Sequence, residues 1–257
     1  MKPISFSLFI SLILLTGASS CKKDIETAPD MGYNYFPVEL GKFVVYTVDS
    51  FYYNDFTSAI DTFKFQLKEK IQSTYPDNQN RTTLRLERYI RSYDPLVPYT
   101  SLPWILRDVW AANRTATTAE KVEENVRYVK LAFAVKEGQR WNGNAQNING
   151  VLNYSYDFFN QPRTIAGVYF DSVLQVNQSI EEDLISKKYY VERYAKGYCL
   201  IAKNVIDIES QPNTDWSNAI LFPFGNDSLV LFYSKPIMQR VTSGFQYTYI
   251  YNSSGIE

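Results

Sequence analysis

Ile60-Asp61-Thr62-Phe63-Lys64-Phe65-Gln66-Leu67-Lys68-Glu69-Lys70-Ile71 alternates with a period of two. Phe63, Phe65, Leu67 and Ile71 fall on one face, and Thr62, Lys64, Gln66, Lys68 and Lys70 on the other. Successive side chains of an extended chain point to opposite faces, so this is the pattern of a half-buried antiparallel strand. Arg81–Arg91 repeats it, with Leu84, Leu86 and Ile90 inward and Arg85, Glu87 and Arg91 outward. Further runs of the same kind cover 42–53, 125–135, 151–159, 165–177, 187–195, 198–208, 228–233 and 240–251. Turn formers separate them, among them Pro76-Asp77-Asn78, Asn142-Gly143, Asn149-Gly150 and Ala195-Lys196-Gly197. Only Ala116–Val126 and Ser179–Lys187 read as helix, and both are short. The 21 tyrosines and 16 phenylalanines suit strands. The expected fold is mostly β: one antiparallel domain over residues 35–257, a curved sheet, half-barrel or sandwich with few short helices.

Composition removes whole reaction classes. The chain has no histidine, which excludes Ser-His-Asp and Cys-His catalysis and the usual histidine-bearing zinc sites. It contains no Gly-x-Ser-x-Gly elbow, phosphate-binding glycine loop or Cys-x-x-Cys pair. Lys+Arg number 26 against 27 Asp+Glu, a balance that offers nucleic acid no electrostatic footprint. Of the two cysteines, Cys199 lies in the apolar run Tyr198-Cys199-Leu200-Ile201 and reads as a small buried hydrophobe without an activating base.

At the N-terminus, Lys2 precedes the apolar run Phe6–Leu15, and Gly17-Ala18-Ser19-Ser20 leads into Cys21. Such a segment has the layout of a secretory signal and is too short to span a bilayer as a helix. A cysteine directly after small residues resembles a bacterial lipobox. The resemblance implies cleavage between Ser20 and Cys21, a thioether-linked diacylglyceryl group on the Cys21 thiol, and an added acyl chain such as palmitate. Residues 1–20 are then a signal peptide, and 21–34 a lipidated cysteine with a polar tether. Thirteen extended residues, 22–34, reach roughly 40 Å at about 3.1 Å each.

Three further segments carry a wider resemblance. They are Tyr35-Phe36-Pro37-Val38-Glu39-Leu40-Gly41-Lys42-Phe43-Val44-Val45-Tyr46, then Glu137-Gly138-Gln139-Arg140-Trp141-Asn142-Gly143-Asn144, and Glu192-Arg193-Tyr194-Ala195-Lys196-Gly197-Tyr198-Cys199-Leu200-Ile201. In this order they resemble a Bacteroidota-type outer-membrane lipoprotein family. The family implies a β-rich domain and an envelope address, and no activity. Its third segment usually ends in a Gly-x-Gly turn, whose second glycine is here Cys199.

Trp141, Asn142 and Asn144 form the candidate ligand site, since an indole beside amides can stack on and hydrogen-bond a sugar. The competing reading makes Asn142-Gly143 a tight hairpin turn of type I′. Glu123-Glu124 and Glu181-Glu182-Asp183 read as solvated charged turns rather than paired catalytic carboxylates or calcium ligands. Asp171-Ser172-Val173 and Asp227-Ser228-Leu229 resemble short O-glycosylation sequences of such bacteria.

The functional expectation is a non-enzymatic envelope lipoprotein, most naturally in the outer membrane, held by its lipid anchor and binding a partner protein or small ligand. Alternatives are a lipid- or lipoprotein-handling half-barrel and a glycan-binding accessory protein. No catalytic residue, metal or cofactor is expected, and no nucleic acid. A continuous apolar groove on the concave face would favour lipid, an exposed aromatic shelf with amides glycan, and a filled core a scaffold.

Overall fold

The computed structural model describes residues 30–211 and 232–257. The signal peptide, Ser20, Cys21 and Asp227-Ser228-Leu229 lie outside the described residues, as does most of the 228–233 strand candidate. The remainder of that candidate, Phe232 and Tyr233, lies in a single helical turn instead.

Thirteen strands form one antiparallel sheet that curls into a nearly closed barrel. They are β1 (Lys42–Tyr53), β2 (Ile60–Pro76), β3 (Thr82–Ser92), β4 (Ile105–Arg114), β5 (Thr118–Glu123), β6 (Val126–Ala132), β7 (Arg140–Asn142), β8 (Asn153–Tyr156), β9 (Gln161–Ile165), β10 (Val168–Glu182), β11 (Ser186–Ala195), β12 (Cys199–Glu209) and β13 (Ser243–Ile256). The order is β6-β5-β4-β3-β2-β1-β13-β12-β11-β10-β8-β7, with β9 branching from β10. Long hairpins therefore meander in both directions from the β1–β13 pair, which joins the two halves of the sheet. Near-closure leaves little free edge, the usual liability of a large antiparallel sheet. The remaining seam lies between β6 and β7. There the Val129 amide donates to the Gly143 carbonyl (2.8 Å), and the Trp141 indole Nε1 donates to the Val129 carbonyl (2.9 Å).

One end of the barrel is filled. Tyr35, Tyr46, Leu67, Leu131 and Leu174 are all essentially inaccessible there. Each such side chain contributes about 1.5–3 kcal/mol by leaving water. A 3-10 turn at Tyr33–Tyr35 plugs this end, and Met31, Tyr33 and Phe36 pack on the same cluster. The packed unit thus begins at Met31, so residues 31–34 belong to the barrel and not to a tether. Polar composition concealed this, because Met31 and Tyr33 are isolated anchors in a short irregular segment. Gly41 turns the chain into β1 with φ +79°, and a Cβ there would meet the Glu257 carbonyl oxygen at 2.2 Å. Only glycine fits that close approach of Glu257.

Both helix expectations fail. Ala116–Val126 is β5 and a turn at Glu124-Asn125, whose φ values of 48° and 65° are those of a type I′ hairpin. Ser179–Lys187 is the end of β10, a turn and the start of β11; Asp183 Oδ1 accepts from the amides of Ile185 and Ser186. In windows this short, periods of 2 and 3.6 are hard to separate, and paired inward charges imitate a polar helix face. The run 165–177 is also interrupted, by a second tight turn at Ala166-Gly167 (φ 49° and 82°). Asn142-Gly143, in contrast, makes no two-residue turn: β7 and β8 are joined by residues 143–152, and neither residue has positive φ.

Cys199 occupies the left-handed region at φ +79°, where the family resemblance places glycine. Cys199 is half-buried against the core rather than fully enclosed. The desolvation it does feel pushes its thiol up to about 11, so little thiolate exists at neutral pH. Native protein should accordingly label slowly at Cys199 and fully only after denaturation. Fast native labelling would contradict this packing. The Ser172 hydroxyl lies between Tyr35 Oη (2.5 Å) and Asn160 Oδ1 (2.6 Å), already occupied within the fold.

Candidate functional site

Inward-facing positions change character halfway along the barrel. Above the filled end lies a layer of charges in two clusters. In the first, Arg88 Nε donates to Glu69 Oε1 (3.0 Å) and its NH1 to Asp108 Oδ1 (2.9 Å), while Lys121 Nζ reaches Glu69 Oε2 at 2.7 Å. The Arg88 guanidinium lies 3.5 Å from the centre of the Trp110 ring, a close cation–π contact. In the second cluster, Lys130 Nζ donates to Glu192 Oε1 (2.6 Å) and lies 3.3 Å from Glu123. Lys203 lies 3.3 Å from Glu192 and 3.8 Å from Glu123, and Tyr194 Oη donates to Glu192 Oε2 (2.6 Å).

Strand register assembles this layer. Glu69 on β2 faces Arg88 on β3, which faces Asp108 on β4. Across the other half, Glu192 on β11 faces Lys203 on β12, which faces Tyr249 on β13. Directly opposed residues share a face, so the first row is an ion-pair chain and the second an ion pair whose row ends at Tyr249. Four cations meet four carboxylates, and every one has a partner.

Burial alone would raise the Glu69 carboxyl, but Lys121 and Arg88 beside it outweigh that and hold it below its ordinary value. Glu123 and Glu192 behave alike: desolvation opposes ionisation, and the ammonium groups of Lys130 and Lys203 overcome it. For Lys130 and Lys203, desolvation would lower the ammonium pKa, and the neighbouring carboxylates raise it instead. Depressed carboxyl pKa values contribute stability that is complete above about 4.3, the ordinary glutamate value, and is lost as pH falls through the folded-state values. Denaturant unfolding should therefore show a plateau near neutrality and a steep decline below about pH 4. The raised lysines make the mirror-image contribution, complete below about 10.4 and lost as pH rises through their folded values. Stability that stays flat from about pH 7 to about pH 2.5 would contradict the pairing.

Beyond the charged layer the barrel is open. Two adjoining lobes, of about 650 and 380 Å³, share Glu123, Tyr128, Lys203 and Tyr247 in their walls. Both volumes lie in the range of small-molecule sites. On one wall, alternate residues of β13 form a ladder: Phe245 stacks on Tyr247 (ring centres 6.2 Å, planes 13° apart), and Tyr247 meets Tyr249 at 5.4 Å. Tyr154 and Tyr190 face the smaller lobe, and burial lifts the Tyr154 hydroxyl to about 12, so it stays protonated. Gln178 lines the same lobe. It is the extra residue at a register shift in β10, between Asn177 and Ser179. It keeps the inward parity of Leu174 and Val176, and its Nε2 is buried with no hydrogen-bond partner.

Trp141, Asn142 and Asn144 are placed elsewhere, the first two on β7 and Asn144 on its connection to β8. The Trp141 ring packs on Tyr156 (4.5 Å) and Tyr154 (5.9 Å). Asn142 Oδ1 accepts from the amides of Asn144 and Leu152, and Asn144 Nδ2 donates to the Gly150 carbonyl. These amides are used to shape the loop. Glu123 corrects the reading of Glu123-Glu124 as a solvated turn: only Glu124 is exposed, while Glu123 faces the lumen between Lys130 and Lys203. Glu181-Glu182-Asp183 is exposed at its turn. Among the described residues, no group of three or more His, Cys, Asp or Glu converges as a metal site, and no helix is long and apolar enough to cross a membrane. No protein-family model, curated protein or solved structure matches the chain.

Proposed function

We propose that this is an envelope lipoprotein, acylated at Cys21, that binds a small ligand in the open mouth of its barrel without transforming it. The observation that carries this reading is the division of the lumen: packed at one end, sealed by ion pairs at mid-height, and open above them with aromatic walls. A protein acting only as a scaffold has no evident use for such an opening, whereas a ligand site needs a concave, mostly pre-formed one. The acyl anchor supplies the membrane attachment, and the segment before Met31 includes the lipobox-like cysteine. Among the ligand classes, the ion-pair layer speaks against a long acyl chain, since a continuous apolar channel is absent from the described lumen.

The test uses a neutral aromatic dye, N-phenyl-1-naphthylamine, whose emission rises in an apolar site. The full chain should enhance it saturably, and Ser50→Trp, which fills the mouth between Phe63 and Tyr247, should abolish the enhancement while the unfolding midpoint is kept. Equal enhancement by both proteins would remove the mouth as the site. Independently, Cys21→Ala should lose acyl labelling and leave the membrane fraction, because stable anchoring takes more than one chain.

A further inference from the structure

We infer that the mouth recognises a neutral, hydroxyl-rich ligand of the saccharide class, held by stacking on the β13 aromatic ladder and by a hydrogen bond from Gln178. The inference rests on the mouth being a ligand site and names what enters it. Three independent observations converge on this chemistry.

The first is charge. Arg88, Lys121, Lys130 and Lys203 are each ion-paired within the layer, as are Glu69, Asp108, Glu123 and Glu192. A strongly anionic ligand pairing with the layer would have to draw a cation away from a buried carboxylate, leaving that carboxylate uncompensated, which is costly. Outside the layer the only cations in the lobe walls are Arg107, 3.3 Å from Asp108, and the exposed Lys188. A cationic ligand pairing with the layer's carboxylates meets the same obstacle with the signs reversed. A neutral ligand leaves the layer intact.

The second is surface. Phe245, Tyr247 and Tyr249 present consecutive rings on one face of β13, and Phe245 at the rim is 37% exposed. Flat aromatic faces suit the C–H faces of a pyranose ring, and the tyrosine hydroxyls add polar edges. The third is Gln178. Its residue is only 6% exposed, it lines the smaller lobe, and Nε2 has no partner. A buried unpaired donor is uncommon in a native fold, and here strand alternation sets it in the lobe wall. Acceptor oxygens are what a saccharide offers in number.

The experiment screens the full chain against an array holding neutral, sulfated and sialylated glycans, with dodecanoate tested in parallel. Each is scored by displacement of N-phenyl-1-naphthylamine, and the glycans that bind are titrated. A neutral glycan should displace the dye, and Gln178→Leu should weaken that glycan at least about tenfold. The same substitution should not lower the unfolding midpoint, because it removes an unpaired buried donor. A merely structural Gln178 would instead leave glycan affinity unchanged, which would overturn the inference. Displacement only by acidic glycans or by dodecanoate would also overturn it, while leaving the mouth as the ligand site. If the dye itself is insensitive to Ser50→Trp, the inference and the reading beneath it fall together.

Discussion

Replacing Glu192 by alanine should cost the fold about 3–5 kcal/mol, the loss typical of breaking a buried ion pair from one side. Glu192 is 1% exposed and accepts from Lys130 and Tyr194, with Lys203 at 3.3 Å. Without it, two buried ammonium groups share Glu123 alone. The cost is mainly the stranded charge, so it should shrink when a cation is removed as well. The double variant Lys130→Met/Glu192→Leu should therefore be more stable than the sum of its two single changes implies, a coupling that a double-mutant cycle in denaturant reads directly. A loss below about 1 kcal/mol for Glu192→Ala would mean that water reaches the layer and that the ion pairs are not a sealed floor.

Trp141→Ala should be equally damaging, again about 3–5 kcal/mol, the usual cost of emptying a packed aromatic site. The ring lies against Tyr154 and Tyr156, and its Nε1 donates across the seam to the Val129 carbonyl. The change thus removes packing and a hydrogen bond that holds β6 to β7. Trp141→Phe keeps most of the packing and loses the bond, so its stability should fall between those of the parent and Trp141→Ala. A near-neutral Trp141→Ala, within about 0.5 kcal/mol, would place the ring outside the core and return Trp141, Asn142 and Asn144 to consideration as a stacking site.

The strand framework is legible in the sequence because alternation is a local signal. The run expected over 42–53 is the strand Lys42–Tyr53, and the strand that begins at Ile60 continues to Pro76. The charged floor is also written in the chain, as breaks in that same alternation. In the run from Phe63 to Ile71 the inward position between Leu67 and Ile71 is Glu69, and between Leu86 and Ile90 it is Arg88. These two residues face each other across β2 and β3. A lone inward charge looks like noise until register supplies its partner, and register is set by bulges and turns that single-sequence patterns do not reveal. Gln178 shares the inward parity of Leu174 and Val176, but it lies just past the expected run 165–177 and is polar, so nothing in the sequence marks it as a wall residue. Trp141 stands out instead because tryptophan beside amides is chemically conspicuous, whereas the β13 tyrosines are absorbed into a general aromatic excess.

The central claim is that the charged layer separates a closed end from an open mouth, and thiol reactivity at two depths tests it most directly. In a Cys21→Ser background, Ser50→Cys places a thiol in the wall of the larger lobe, while native Cys199 lies by the packed end. The introduced thiol should react with a small thiol reagent within seconds to minutes and become protected when N-phenyl-1-naphthylamine is bound. Cys199 should remain slow throughout, because burial holds its thiol protonated. If the thiol introduced at position 50 is as slow as Cys199, the mouth is closed and the barrel is packed from end to end.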